Sequence, residues 1–149
     1  MHNKMKTDLA KILSVRGQHG LFQYIAQSRS GAIVESLQDK KRCNFSAGAG
    51  ITSLADISIY TDEGELKLQE VFGKMHAVLG DKPAPGPKDT PRAIQDFFAQ
   101  AVPNYDGDRF YLSHMKKVDE WYNILLQFAS LDFVTDEERE AEAAREEEA

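Results

Sequence analysis

A single cysteine, Cys43, stands among the 149 residues, so no internal disulfide can form. Four histidines (His2, His19, His76, His114) lie far apart, and none has a second ligand three or four residues on. Structural zinc wants about four nitrogen or sulfur ligands, usually in close pairs, so that chemistry is not expected. No apolar run approaches the roughly 20 residues needed to cross a bilayer. Met1 to Lys6 is basic, but Asp8 to Val15 is too short and too polar to be the core of a signal peptide. The expected location is the cytoplasm, with no membrane partner. Gly48-Ala49-Gly50 is not followed by Lys-Ser or Lys-Thr, so it lacks the fingerprint of a phosphate loop and reads as a flexible turn. No spacing assembles a catalytic triad or a pair of acids. The expectation is a non-enzymatic chain with no catalytic, cofactor or metal residues.

What is present is ordinary globular material, 42% hydrophobic and 28% charged, enough for one domain or two small ones. The net charge of −6 belongs to one end. Residues 135–149 hold eight of the 24 acids and two of the 18 bases, so the other 134 residues balance at 16 of each. Within residues 1–60, eight bases face four acids, a basic head opposite an acidic tail.

Strand formers cluster in Leu13 to Val15, Leu21 to Ala26, Ala32 to Leu37, Arg42 to Phe45 and Ile57 to Tyr60, with polar turns between them. Short strands joined by four-residue turns form an antiparallel meander, read here as a small SH3- or Tudor-like barrel. Leu68, Val71, Phe72, Met75 and Leu79 then recur at helical spacing, and Gly80 ends that helix. Three of five prolines fall between Pro83 and Pro87, a stiff extended linker. Thr90-Pro91 starts a second helix with Ile94, Phe97, Phe98 and Ala101 inside, and Ser113 is read as the cap of a third carrying Met115, Val118, Tyr122 and Leu125. The tail from Asp136 has no apolar stripe and reads as solvated and frayed. The fold class is therefore α+β: a barrel module with a closing helix over 1–80, a linker over 81–90, a helical (αα) module over 91–134, and an acidic tail over 135–149.

Several strings resemble an uncharacterised family of two-domain bacterial proteins common in Bacteroidetes. They are Lys11 to Val15, Ile33 to Leu37, Leu54 to Thr61, Tyr105-Asp106 with Asp108-Arg109, Met115 to Lys117, and Trp121-Tyr122. The resemblance runs in order from about residue 7 to 132. It implies a β-rich N-terminal domain and a helical C-terminal domain, with no activity assigned to either.

Arg16, Arg29, Lys40, Lys41 and Arg42, beside Phe22, Tyr24 and Phe45, form a candidate nucleic-acid patch, since single-strand binders combine cations with stacking rings. Filling of the barrel by the aromatics and solvation of hairpin tips by the cations explain the same residues. Asn104 to Asp108 alternates oxygen ligands as a calcium loop does, but Arg109 and Met115 stand where glycine and glutamate are required, so it reads as a turn. Cys43 reads as a buried, inert thiol. Phe110, Tyr111 and Trp121 are candidate protein-interface residues, because large aromatics supply interface anchors. Trp121, at the margin of the Met115 to Leu126 stripe, is nonetheless more simply explained by packing between the modules. These features point to a binding or scaffolding module for a protein partner or a second copy of the chain. The alternative is a weak nucleic-acid-binding regulator using the basic head.

Overall fold

In the computed structural model, which describes residues 6–148, the strands form where β-branched and aromatic residues cluster between turns. His2 lies outside the described residues. Strands β1 (Ile12–Val15), β2 (Phe22–Gln27), β3 (Gly31–Ser36), β4 (Arg42–Ser46) and β5 (Ile51–Ser53) make one antiparallel sheet in the order β4-β3-β2-β1-β5. The register aligns Ile12, Gln23, Glu35 and Arg42 in one row across four strands. Alternation then gives each face its own partner. Leu13, Val15, Phe22 and Val34 gather on one face with Ala32, Phe45 and Ile51, and the Phe22 and Phe45 rings meet edge to face at 5.3 Å. Ile12, Leu21 and Leu37 join the main core with the helices.

The expected closed barrel does not form. β4 and β5 are the two edges of an open sheet, joined through the 3-10 turn Ala47–Ala49 rather than by a hydrogen-bonded ladder. β5 has three residues, all paired to β1, so its short edge offers β4 little to pair with. Gly50 follows that turn at φ 83°, and a Cβ there would press on the Arg16 side chain. The α+β class stands; among the described residues the architecture is an open antiparallel sheet, a separate hairpin and four α-helices.

That hairpin is β6 (Ser58–Thr61) with β7 (Gly64–Lys67), and β7 runs directly into α1 (Leu68–Leu79). Helix α2 (Pro91–Ala101) begins as expected: the Thr90 hydroxyl accepts the Ala93 N–H at 3.1 Å, and Pro91 takes the first turn, where an N–H would have no partner. Helix α3 (Leu112–Phe128) starts two residues earlier than a Ser113 cap would place it, with Tyr111 at the cap position. Its first turn is closed instead by His114, whose Nδ1 accepts the Tyr111 N–H at 3.2 Å. The buried stripes of α1, α2 and α3 meet in one core that continues through Leu54 and Leu9 to the sheet. Among the described residues, no helix is long and apolar enough to cross a membrane.

The proline stretch does not run free through solvent. Asn123 on α3 clamps Ala84 at both backbone groups, its Oδ1 accepting the Ala84 N–H at 2.7 Å and its Nδ2 donating to the Ala84 carbonyl at 3.1 Å. Ala84 is buried against the core as a result.

The acidic tail is also ordered beyond the sequence reading. It forms helix α4 (Asp136–Glu148). Arg139 donates to Asp8 at 2.7 Å with both side chains mostly covered, and Lys6 reaches Glu138 at 2.9 Å. Just before it, Thr7 pairs with the chain after α3: its N–H goes to Asp132, its carbonyl accepts from Val134, and its hydroxyl reaches the Ser130 carbonyl. A helix too polar to stand alone is therefore held by its first two turns. Cys43 is a further correction: it is exposed, because β4 is an edge strand with little packed over it.

A candidate protein-interaction groove between β6 and α3

The candidate interface residues divide. Phe110 is buried, at 3% exposure, because the loop before α3 folds it onto Phe98 (5.3 Å between ring centres) and Tyr105 (5.7 Å). The neighbouring Tyr111 turns outward at 55% exposure. Trp121 is half-buried, packed on the core at the margin of the α3 stripe. The loop that mimics a calcium site is a turn organised by Asp106. Its carboxylate accepts the Asp108 N–H and the Arg109 guanidinium, each at 2.9 Å, so its oxygens are already used. Arg109 foremost, with the Asp108 N–H, holds the Asp106 carboxyl below the usual carboxylate range. Among the described residues, no cluster of His, Cys, Asp and Glu could hold a metal ion.

Arg109, fixed by Asp106, lies 4.2 Å over the ring of Tyr60, a residue that composition and spacing did not single out. Tyr60 and Trp121 face a groove of about 270 Å³ between β6 and α3. Its floor is Ile57, Ile59, Phe110 and Val118, and its rim is Arg109, His114 and Lys117. No carboxylate lines it, and Lys117 makes no ion pair among the described residues. His114 spends Nδ1 on the Tyr111 N–H, which leaves its proton on Nε2. The groove thus has an apolar floor, aromatic walls and donors or cations at the rim.

The β6 backbone completes one wall. The Ile57 carbonyl accepts from Leu68 on the hairpin side, and Ile59 pairs with Leu66, so the groups of Ser58 and Tyr60 point away from β7. On that outer edge the Tyr60 carbonyl accepts the Asp106 N–H at 2.9 Å, and Asp62 donates to Asn104 at 3.0 Å. The Tyr60 N–H and the Ser58 carbonyl, one step along, have no hydrogen-bond partner among the described residues. That edge opens beside the groove.

The five candidate cations are not brought together. Arg29 sits in the β2–β3 turn, whereas Lys40 and Lys41 sit in the β3–β4 turn at the other end of β3. Six residues of strand put those turns about 20 Å apart. Arg42 is paired with Glu35 at 3.4 Å, and Arg16 lies against Gly50 at the end of β1. The rings do not form a stacking platform either: Phe22 is buried, Phe45 is half-buried, and only Tyr24 is exposed. Besides one of about 380 Å³ between α1 and α4, where Lys67 and Arg139 meet Glu70 and Asp136, two more cavities larger than the groove carry mixed charge. One of about 640 Å³ lies between the sheet and α4, with Lys40 and Lys11 facing Glu35 and Glu142. The other, about 450 Å³, lies between the proline stretch and α3, with Lys116 beside Glu120.

One ionisable group on α3 is out of water altogether. Asp119, next to Val118 on α3, is 1% exposed, and neither carboxylate oxygen has a hydrogen-bond partner. Burial foremost, and then the charge of Asp89, pushes its pKa up to about 8, so it is a neutral acid at pH 7.

A family model described as "Domain of unknown function (DUF5606)" matches residues 9–54, and one described as "Domain of unknown function (DUF6852)" matches residues 57–125. A solution NMR structure of a structural-genomics target from Bacteroides vulgatus is 36% identical to this chain. The match covers 79% of this chain and 85% of that one, with a TM-score of 0.67. The chain belongs to this uncharacterised two-domain family. No curated protein matches it. The two family domains meet at residues 55–56, between β5 and β6, rather than at the prolines. The groove falls wholly within the second domain, whereas Arg16, Arg29, Lys40, Lys41 and Arg42 fall within the first. Helix α4 lies outside both.

Proposed function

We propose that this chain is a non-catalytic protein-interaction module and that the β6–α3 groove is its binding surface. One observation carries the reading: Trp121 and Tyr60 wall an apolar floor beneath a rim with no carboxylate. Desolvated aromatics ringed by polar groups are the usual anchors of protein interfaces. Nucleic-acid binding by the basic head has less support, because its cations are separated by the length of β3 and Arg42 is already paired. A phosphate-binding surface needs cations that act on one stretch of backbone.

Trp121 is the one tryptophan in the sequence, so its emission reports on the groove directly. Peptides selected from a random display library against the full chain should shift that emission and the backbone amide signals of residues 57–60 and 109–121. They should also bind Lys117→Glu more weakly. Selected peptides that bind while leaving those signals unmoved would place the binding surface elsewhere, and a library yielding no binder would remove the reading.

A further inference from the structure

The groove has a shape and a polarity that narrow its occupant. One wall is a strand edge with an unused donor and acceptor, the Tyr60 N–H and the Ser58 carbonyl. The opposite wall is a helix, α3, which presents Trp121, Lys117 and His114. A helical ligand would satisfy its own backbone and leave the strand edge unpaired. An extended segment pairs with that edge and sends alternate side chains to the floor. The rim selects for charge. Arg109 is already paired with Asp106, and His114 offers an N–H, so the charge of the rim rests on Lys117, which has no ion pair among the described residues. A segment bearing Asp or Glu is favoured over a basic one.

We infer that the groove binds an extended acidic peptide from a partner protein, added as a strand along β6 with its apolar side chains between Ile59, Val118 and Trp121. This inference rests on the groove being the binding surface. It adds the conformation and the charge of the ligand. The loop through Asn104 and Asp106 already occupies the far end of the same edge by the same kind of pairing, so the added strand stops at Tyr60. The ligand's register is therefore set by backbone bonds at Ser58 and Tyr60 and by the Trp121 contact.

The probes are short acetylated peptides alternating glutamate with valine, their lysine–valine counterparts, and glutamate–valine peptides N-methylated at every second amide in either phase. Binding to the full chain is read from Trp121 emission and from the amide signals of Ser58 and Tyr60. The glutamate peptide should bind, and the lysine peptide should bind at least about tenfold more weakly, the effect of losing one or two charge pairs. N-methylation in one phase should weaken binding about tenfold, while the other phase leaves it unchanged, because only alternate amides face β6. Lys117→Glu should invert the preference between the two peptides, and this surface change leaves the core intact. Equal sensitivity to both phases of N-methylation, or to neither, would overturn strand addition. Equal binding of acidic and basic peptides would overturn the charge assignment. Self-association of the full chain that blocks the probe would overturn it as well, by making a second copy the occupant. If display-selected peptides shift Trp121 while these probes fail, the groove stands as a binding surface and this inference alone falls.

Discussion

Asp119 offers a quantitative test of the fold, because its energetics follow from one buried group. In the folded chain its carboxyl stays protonated up to about pH 8, whereas in the unfolded chain it ionises near its ordinary value of 3.8. Between those values the unfolded state binds fewer protons, so stability falls as pH rises. The slope is about 1.4 kcal/mol per pH unit, which amounts to roughly 3 kcal/mol between pH 5 and pH 7. Among the described residues, nothing else with a displaced pKa titrates in that window. Asp106 and Glu138 are lowered and act only in more acidic solution, while Lys6 and Tyr122 are raised and act only in alkaline solution. Asp119→Asn keeps the volume and removes the proton. It should match the native chain within about 1 kcal/mol at pH 4, where both side chains are neutral, and exceed it by roughly 3 to 4 kcal/mol at pH 7. Urea unfolding followed by circular dichroism from pH 4 to pH 8 measures the profile, and carboxyl carbon NMR locates the titration directly. Parallel profiles for the two proteins would refute the reasoning, since the carboxyl would then have found a partner or water.

Arg139→Ala should release α4 from Asp8 and cost about 1 to 3 kcal/mol, as loss of a largely covered charge-assisted bond does; faster amide exchange over residues 136–142 is the readout. Asn123→Ala should remove both bonds to Ala84 and cost about 1 to 3 kcal/mol, seen as a lower urea midpoint and faster exchange at Ala84. Cys43 should react stoichiometrically with a thiol reagent in the native state, and a thiol revealed only by denaturant would contradict its exposure. Phe98→Ala should destabilise by about 3 to 5 kcal/mol, because its ring fills the core between Phe97 and Phe110; thermal unfolding measures this.

Local chemistry made much of the chain legible. Thr90 and Pro91 start α2 because a hydroxyl cap and a missing N–H act within four residues. Leu68, Val71, Phe72 and Met75 are all buried, as their spacing required. The misreadings share a cause, which is that a neighbour distant in sequence decides the outcome. Phe110 is buried by Phe98 from another helix, and the tail is held by Asp8 from the other end of the chain. Cys43 is exposed because β4 takes the sheet's edge, a consequence of strand order rather than of its own sequence.

The candidate site divides the same way. Trp121 could be singled out from sequence, since a large aromatic at the margin of a helical stripe is a known anchor type. Tyr60 and the open edge of β6 could not, because strand formers alone do not reveal which edge a neighbour leaves unpaired. The cations Arg16, Arg29, Lys40, Lys41 and Arg42 were visible as charges, but their convergence was not. By itself the sequence determined the strands, the first three helices with the cap of α2, their apolar faces and the charge polarity, all set by interactions within a few residues. Tertiary structure alone decided that the sheet stays open, that Asp119 is sealed from water, and that Arg109, Lys117 and Trp121 border one groove. Burial and proximity are properties of packing between distant segments, and no local pattern encodes them.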